Sequence, residues 1–283
     1  MPDFPRTTIE NVSVSRMLIG INWFLGYSHT SKAKDDFIVA YQSRQRLRDI
    51  ITVFMKAGVD TLYGVRPETT PGLMAAIQDA EQAAGRKCIT VATPTLNVAD
   101  GPAAMSQTAR ILDEHATLGA TFCLPHQAST DALVDRRTRC ITNMDKYCAM
   151  IRQRGMIPGL STHMPETPVY ADETNLDVAT YIQIYNAIGF LMQIEVDWVH
   201  RMIWGCKNPV ICIKPMAAGR LLPLAGLAFE WATIRDQDMV CVGTMTADEA
   251  REVIDISLSI LERRSSTVKL QRTRSKESVE KRK

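Results

Sequence analysis

The segment Ala120–Gln127, Ala-Thr-Phe-Cys-Leu-Pro-His-Gln, predicts a short buried strand that stops at Pro125 and places His126 at its carboxyl end. Proline favours a strand end because it has no N–H to donate to the ladder. If the chain is a barrel of repeating strand–helix units, the other strands also end near His126. Catalytic residues of such barrels lie at the carboxyl ends of the strands. The segment therefore predicts a fold and a first candidate site residue together.

The rest of the chain repeats the pattern of a short apolar run followed by a stretch with helical spacing. The predicted strands are Arg16–Asn22, Val59–Val65, Lys87–Thr93, Thr121–Leu124, Met156–Ser161, Gln183–Asn186, Pro209–Lys214 and Met239–Gly243. The predicted helices include Lys32–Ala57, Thr70–Ala84, Asp177–Ile184 and Phe190–Cys206. Eight strands alternating with helices indicate an α/β protein, a (β/α)8 TIM barrel in a single domain. No glycine-rich fingerprint follows the first strand, which argues against an open dinucleotide-binding sheet.

Composition narrows the classes of function. The chain has 283 residues, 46% of them hydrophobic and 23% charged, with a formal net charge of +2. This balance gives no electrostatic case for binding nucleic acid or an anionic membrane. No apolar run reaches the roughly 18 residues of a membrane-spanning helix. We expect a barrel over residues 1–262 and a charged tail, flexible or with a helical start, over residues 263–283.

The seven cysteines form no C-x-x-C pair, and most lie in apolar segments. They are expected to be free buried thiols in a reducing compartment. The amino terminus has no apolar signal-peptide core. The sequence therefore predicts a cytoplasmic protein with a small-molecule substrate, and it leaves the oligomeric state open.

Several short motifs, taken in order, resemble the aldo-keto reductase superfamily. They are Val14–Gly20, Cys123–His126, Gly155–Ser161, Gln183–Asn186, Ile213–Gly219 and Val242–Thr244 followed by Glu249. The resemblance covers most of residues 14–262. It implies hydride transfer between NADP(H) and a carbonyl group. It also implies a catalytic aspartate, tyrosine, lysine and histidine, with the tyrosine as the acid.

Carried over residue by residue, the resemblance assigns the histidine to His126, the tyrosine to Tyr63 and the aspartate to Asp60. The segment from Asp60 to Tyr63 is two residues shorter than the family's pattern. Strand three ends Thr93-Pro94-Thr95, with no lysine at that end.

The cofactor side is matched by five residues: Ser161, Gln183, Asn186, Gly243 and Thr244. The Gly243–Thr244 turn leads into a helix whose amides could hold a phosphate. The same turn is also an ordinary helix start, with Thr246 as the cap and Glu249 three residues later.

Other polar residues follow strands and suggest different chemistry. His126 and His163 follow strands four and five, and His29 lies in the first loop, so a divalent metal is an alternative to neutral, substrate-orienting histidines. Lys214 ends an apolar strand; it could bind an anion, form a Schiff base or make a structural salt bridge. Arg220 in the next loop would add to an anion site, and Trp23 and Tyr27 could line the substrate pocket.

Three functions remain open from the sequence. The first is NADP-linked carbonyl oxidoreduction through His126 and Tyr63. The second is metal-assisted or acid–base lyase, isomerase or hydrolase chemistry through His126, His163 and Lys214. The third is a non-catalytic small-molecule binder built on the same barrel.

Overall fold

The computed structural model of the protein describes residues 3–66 and 71–280. Its strands are β1 (Arg6–Ile9), β2 (Val12–Ser15), β3 (Met17–Gly20), β4 (Thr61–Val65), β5 (Ile89–Ala92), β6 (Phe122–Cys123), β7 (Val134–Asp135), β8 (Cys140–Ile141), β9 (Ile157–Pro158), β10 (Leu160–Ser161), β11 (Tyr181–Ile184), β12 (Val210–Ile213) and β13 (Met239–Val242). Its helices are α1 (Asn22–Leu25), α2 (Lys32–Tyr41), α3 (Arg44–Lys56), α4 (Pro71–Ala84), α5 (Pro102–Thr117), α6 (Gln127–Thr130), α7 (Met144–Arg152), α8 (Glu166–Glu173), α9 (Val196–Gly205), α10 (Pro223–Thr233), α11 (Ala247–Leu261) and α12 (Arg274–Glu280). Short 3-10 turns cover Asp131–Leu133 and Ala217–Gly219.

Nine parallel strands form the barrel, in the order β10-β11-β12-β13-β3-β4-β5-β6-β9. The first and last of these, β10 and β9, are two halves of one chain segment separated only by Gly159. One half pairs with β6 and the other with β11, which closes the sheet into a barrel. We call its eight strand positions staves and count β9 and β10 as one. A Cβ on Gly159 would lie 2.6 Å from the Thr180 carbonyl oxygen and 2.7 Å from Leu124 Cγ. The (β/α)8 prediction is therefore confirmed, and its closure depends on a glycine.

Two apolar clusters fill the protein. The smaller one is the barrel interior, where residues such as Leu18, Phe122 and Ile182 point inward. The larger one lies between the strands and the surrounding helices and includes Phe54 and Tyr181. Successive residues of a strand point to opposite faces, so each stave contributes to both clusters.

The antiparallel hairpin of β1 and β2 covers the amino ends of the barrel strands. Its Ile9 and Val14 are buried and belong to the interior cluster. The backbone N–H of Phe4, just before the hairpin, donates to Ala57 O at 2.8 Å, ahead of β4. The hairpin therefore plugs the end of the barrel opposite the strand carboxyl termini.

The structure corrects three predicted helices. Lys32–Ala57 is two helices, because Ser43 caps a new one by accepting from the Arg46 N–H at 3.3 Å. Asp177–Ile184 contains strand β11, and the helix before it is α8. Phe190–Cys206 is helical only from Val196. The predicted start at Thr70 lies outside the described residues.

The predicted tail divides into two parts. Its beginning is held against α11, since the Asp255 carboxylate accepts from the Ser266 hydroxyl at 2.7 Å and the Arg264 guanidinium at 2.9 Å. Val268 packs partly against the outer cluster. Farther along, Arg274–Glu280 forms the short helix α12. Within the described residues, no helix is long and apolar enough to span a membrane.

A buried carboxylate ties the amino ends of β12 and β13 together. Asp238 is fully buried, and its oxygens accept from the Val210 N–H at 2.9 Å and the Arg235 guanidinium at 2.7 and 2.9 Å. Arg16, just before β3, donates to the Asp238 carbonyl oxygen at 3.0 Å. Three neighbouring staves thus share one polar cluster.

We expect Asp238→Ala to lower the free energy of unfolding by about 3–5 kcal/mol, because it leaves a buried guanidinium without its anion. Asp236→Ala is the matched control: its carboxylate is fully exposed and lies 3.6 Å from Arg16. The control should cost less than about 1 kcal/mol. Urea unfolding of both variants measures the difference, and equal losses would contradict the assignment.

Candidate active site

A cavity of about 850 Å³ opens at the carboxyl ends of the barrel strands. Side chains from most of the staves meet in it, because parallel strands end on the same side of the sheet. Its polar lining includes Tyr63, Arg66, Thr93, His126, Ser161, His163, Lys214 and Cys241. Residues from the loop after β3, including Trp23, Tyr27 and His29, form one wall.

Most of the predicted site residues line this cavity. They are Trp23, Tyr27, His29, Tyr63, His126, Ser161, His163, Lys214, Gly243 and Thr244. Four predicted residues do not: Asp60, Gln183, Asn186 and Arg220.

Asp60 lies at the opposite end of its strand. It precedes β4, three residues before Tyr63, which separates the two residues by roughly 10 Å along an extended chain. Its carboxylate is buried and pairs with Arg6 at 2.9 Å and Arg86 at 3.4 Å. Asp60 therefore joins the barrel to its hairpin side and does not line the cavity.

Gln183 and Asn186 also leave the predicted cofactor set. Ile182 and Ile184 point into the barrel, so Gln183 between them faces the helices. The side-chain amide of Asn186 organises its own loop: its Oδ1 accepts from the Phe190 N–H at 2.8 Å and its Nδ2 donates to the Phe190 carbonyl at 3.0 Å. Both residues are buried away from the cavity.

Arg220 lies beside the cavity and outside its lining. Its guanidinium carbon is 4.1 Å from the centre of the Phe190 ring, and its NH1 donates to the Ala217 carbonyl at 3.1 Å. The predicted pairing of Arg220 with Lys214 in one anion site is therefore not observed.

Two residues that the sequence did not single out, Arg66 and Cys241, line the cavity. Arg66 follows β4 directly, and its charge lowers the pKa of both Tyr63 and His126. Its position immediately after a strand, like that of His126, was the available signal. Cys241 lies on β13, and burial raises the pKa of its thiol to about 12, so it stays un-ionised.

His126 and His163 are both neutral at pH 7. Burial, together with the charges of Arg66 and Lys214, lowers the pKa of His126 to about 4. Burial likewise lowers the pKa of His163 to about 4, with help from Lys214 and the other two histidines of the cavity. His126 Nδ1 accepts from the Ala128 N–H at 3.3 Å. The neutral ring then carries its hydrogen on Nε2, where it acts as a donor.

Tyr63 is an un-ionised hydroxyl. Burial and the neighbouring Cys241 raise its pKa, while a hydrogen bond with Ser161 and the charge of Arg66 act in the opposite direction. The hydroxyl is therefore a proton donor with a cation nearby that stabilises its anion.

Lys214 and His29 form a pair on the opposite wall. Lys214 follows β12 and has a left-handed backbone, with φ 65°. Its Nζ lies 3.3 Å from His29 Nε2, and His29 Nδ1 lies 3.0 Å from the Tyr27 carbonyl oxygen. Because Nδ1 donates to that carbonyl, Nε2 is the acceptor. Burial lowers the pKa of Lys214.

The strand-eight turn offers an available hydroxyl. Thr244 lines the cavity, and its Oγ1 is buried without a hydrogen-bond partner in the described part of the chain. A Cβ on Gly243 would lie 2.8 Å from a ring carbon of Trp23, so only glycine lets the indole approach. With Ser161, these residues fit a polar group of a bound nucleotide.

The same turn is poorly suited to binding a phosphate group, because two of its amides already have partners within the chain. Thr246 caps α11 by accepting from the Glu249 N–H at 3.1 Å, and Glu249 accepts from the Met245 N–H at 2.7 Å. These two hydrogen bonds occupy the Met245 and Glu249 amides at the start of α11. Glu249 and Glu252 also line the cavity. The two cations of the described lining, Arg66 and Lys214, follow β4 and β12 and do not belong to this turn.

The metal alternative gains no support. His126 and His163 share the cavity, but in residues 3–66 and 71–280 no three His, Cys, Asp or Glu side chains come together as metal ligands would. Metal sites in proteins ordinarily take three or four such ligands.

We expect His126 and His163 to titrate at about pH 4, since burial and nearby cations disfavour the protonated rings. Lys214→Met should raise both pKa values because it removes one of those cations. Lys87→Met, at an exposed lysine paired with Glu81, should change neither. NMR titration of the imidazole carbons measures this, and wild-type midpoints near 6.5 would contradict it.

Comparison with known proteins gives the fold. No protein-family model matches the sequence, and no curated protein matches it. Among solved structures, a protein from Pseudomonas aeruginosa described as an aldo-keto reductase has a TM-score of 0.63 at 12% identity. The match covers 92% of this chain and 98% of that one. An aldo-keto reductase from Bacillus halodurans in its holo form has a TM-score of 0.56 at 13% identity, covering 95% and 99%.

A barrel of different chemistry is similar as well. A truncated 3-deoxy-D-arabino-heptulosonate 7-phosphate synthase from Thermotoga maritima has a TM-score of 0.50 at 11% identity, covering 86% of this chain and 80% of that one. At such identities a likeness reports architecture, and function must be argued from the site. The comparisons therefore show the fold: the chain is a (β/α)8 barrel, similar in architecture to the solved aldo-keto reductases.

Proposed function

We propose that the protein is a nicotinamide-linked oxidoreductase that acts on a small anionic carbonyl compound. The observation that carries the proposal is a set of four side chains in one cavity. Tyr63 and His126 are neutral hydrogen-bond donors, and Arg66 and Lys214 are cations. The barrel's likeness to aldo-keto reductases supports the reaction class. Neither the metal-assisted alternative nor the non-catalytic binder is favoured by a specific observation.

Tyr63 and His126 act on the carbonyl oxygen. The Tyr63 hydroxyl donates to this oxygen and delivers its proton as charge develops there. His126 Nε2–H is a second, neutral donor that orients the carbonyl. Ser161, hydrogen-bonded to Tyr63, fixes the direction of the phenol.

Arg66 takes over the electrostatic task of the lysine that strand three lacks. Thr93 lines the cavity at the end of that strand and carries no charge. Arg66 stands near Tyr63 and lowers the free energy of its phenolate. The proton can therefore leave Tyr63 without a buried uncompensated anion remaining.

The substrate class follows from the charges. Arg66 and Lys214 offer a carboxylate or phosphate two positive partners inside the cavity. A 2-oxo acid places its carboxylate next to the carbonyl that Tyr63 and His126 would hold. The cavity of about 850 Å³ accommodates a small molecule beside a larger ligand.

The cofactor would be held by Ser161, Gly243 and Thr244. A nicotinamide dinucleotide, when bound, supplies or accepts the hydride. Glu249 and Glu252 face the region expected for its adenosine end and favour a ribose hydroxyl over a phosphate. NADP(H) is implied by the resemblance, whereas these two carboxylates favour NAD(H).

We expect NADH to bind more tightly than NADPH in a fluorescence titration. Glu249→Arg should strengthen NADPH binding on the order of tenfold or more, because one charge-assisted hydrogen bond is worth about 1.5–3 kcal/mol. Asp248→Arg makes the same charge change on an exposed residue outside the lining and is the control. Tight NADPH binding that Glu249→Arg leaves unchanged would contradict the cofactor preference. Folded protein that binds neither nucleotide would contradict the proposed function.

Tyr63→Phe should lower kcat by about 10²–10⁴-fold, the usual contribution of a positioned general acid. Tyr170→Phe, at a buried tyrosine of α8, is the control for loss of a phenol elsewhere. NADH oxidation with a panel of 2-oxo acids and 2-oxo aldehydes measures both. A folded Tyr63→Phe enzyme with the turnover of the wild type would exclude Tyr63 as the donor.

A further inference from the structure

Lys214 has no carboxylate partner among the residues that the structure describes. The sequence left a structural salt bridge as one explanation for this lysine, and among the described residues no Asp or Glu forms an ion pair with it. Its observed contact is with a neutral ring, His29 Nε2 at 3.3 Å. Lys214 is partly buried in the cavity and makes no ion pair among the described residues, so its amine is available to a ligand.

The backbone holds Lys214 in a costly conformation. Its φ of 65° is in the left-handed region, and the nearby Ala217 and Ala218 have φ values of 49° and 55°. Non-glycine residues in this region carry strain, and such strain clusters at functional sites. The strained turn presents the ammonium group to the same cavity as His126 and Arg66.

We propose that Lys214 is a nucleophile whose Nζ condenses with the carbonyl carbon of a small 2-oxo acid or aldehyde to form an iminium ion. The proposal rests on the proposed function only in using the same carbonyl substrate and cavity. It adds a covalent activity at a residue that the proposed function uses only for its positive charge.

The chemistry balances with groups that are present. His29 Nε2 takes one proton from the Lys214 ammonium, and the freed lone pair attacks the carbonyl carbon. The C=O π bond breaks, and the oxygen takes up that proton to give a carbinolamine. A second nitrogen proton moves to the hydroxyl, which leaves as water. One ammonium and one carbonyl thus become one iminium and one water, with no oxidant or reductant.

The neighbouring residues suit this step. His29 is fixed as an acceptor because its Nδ1 donates to the Tyr27 carbonyl at 3.0 Å. His126 Nε2–H would donate to the carbonyl oxygen as negative charge collects there. Arg66 would hold the substrate carboxylate. His29, His126, Arg66 and Lys214 all line the same cavity.

The test is reductive trapping of the full-length protein with glyoxylate and sodium cyanoborohydride, followed by intact and peptide mass spectrometry. We expect one carboxymethyl group on Lys214. Its rate should exceed that of every other lysine, because burial lowers the pKa of Lys214 and leaves more of its amine unprotonated. Lys214→Met should lose the adduct, whereas Lys87→Met, at an exposed lysine, should keep it. His29→Ala, with Lys214 intact, should slow the labelling.

Labelling spread over exposed lysines with no excess at Lys214, in protein shown by circular dichroism to be folded, would overturn the proposal. An unchanged yield of adduct in folded Lys214→Met would overturn it as well. NADH titration of the same samples separates the two proposals. An adduct without nucleotide binding would contradict the proposed oxidoreductase function and support Lys214 as a nucleophile. Nucleotide binding without an adduct would contradict the nucleophile and support the oxidoreductase function.

Discussion

The absence of a side chain at Gly159 is the constraint on which the barrel depends. The chain segment around it pairs with one neighbour through β9 and with the other through β10. At the turning point, the Thr180 carbonyl and the Leu124 side chain lie where a Cβ would stand. Closure at this point brings Ser161 and His163 next to the end of β6, where His126 lies. The cavity exists as one site because the last gap in the sheet is narrow enough for glycine alone.

The cavity keeps His126, His163 and Tyr63 uncharged. Burial and nearby cations both disfavour the charged form of a histidine, so their effects on His126 and His163 add. For a tyrosine the two effects oppose each other, and burial exceeds the charge of Arg66 at Tyr63. Neutral donors beside the cations Arg66 and Lys214 suit a ligand that brings its own negative charge. The carboxylates of Glu249 and Glu252 give the far side of the cavity the opposite sign.

Most of the architecture could be predicted from the sequence, because apolar runs that end in proline or glycine mark strands with little ambiguity. His126 and Lys214 follow such runs directly, and both reach the cavity. Asp60 was misplaced because a short motif does not say at which end of a strand a residue lies. Gln183 was misplaced because one residue along a strand decides which face a side chain takes.

Other features needed the three-dimensional structure. Arg66 reaches the cavity from a position just past a strand, and its effect on Tyr63 depends on distances that no spacing rule supplies. Glu249 was anticipated as a helix-capping residue, yet its second role as an acidic wall of the cavity follows only from how α11 meets the barrel.

The plug formed by β1 and β2 has a kinetic consequence. Ile9 and Val14 fill the amino end of the barrel, so ligands exchange through the opposite opening in the part of the chain that the structure describes. Two ligands that share one cavity and one entrance must bind in a fixed order: the ligand that lies deeper binds first and dissociates last. If the proposed cofactor and substrate both bind here, the shape of the barrel imposes a compulsory order of addition and release, with product competing directly against the second ligand to enter.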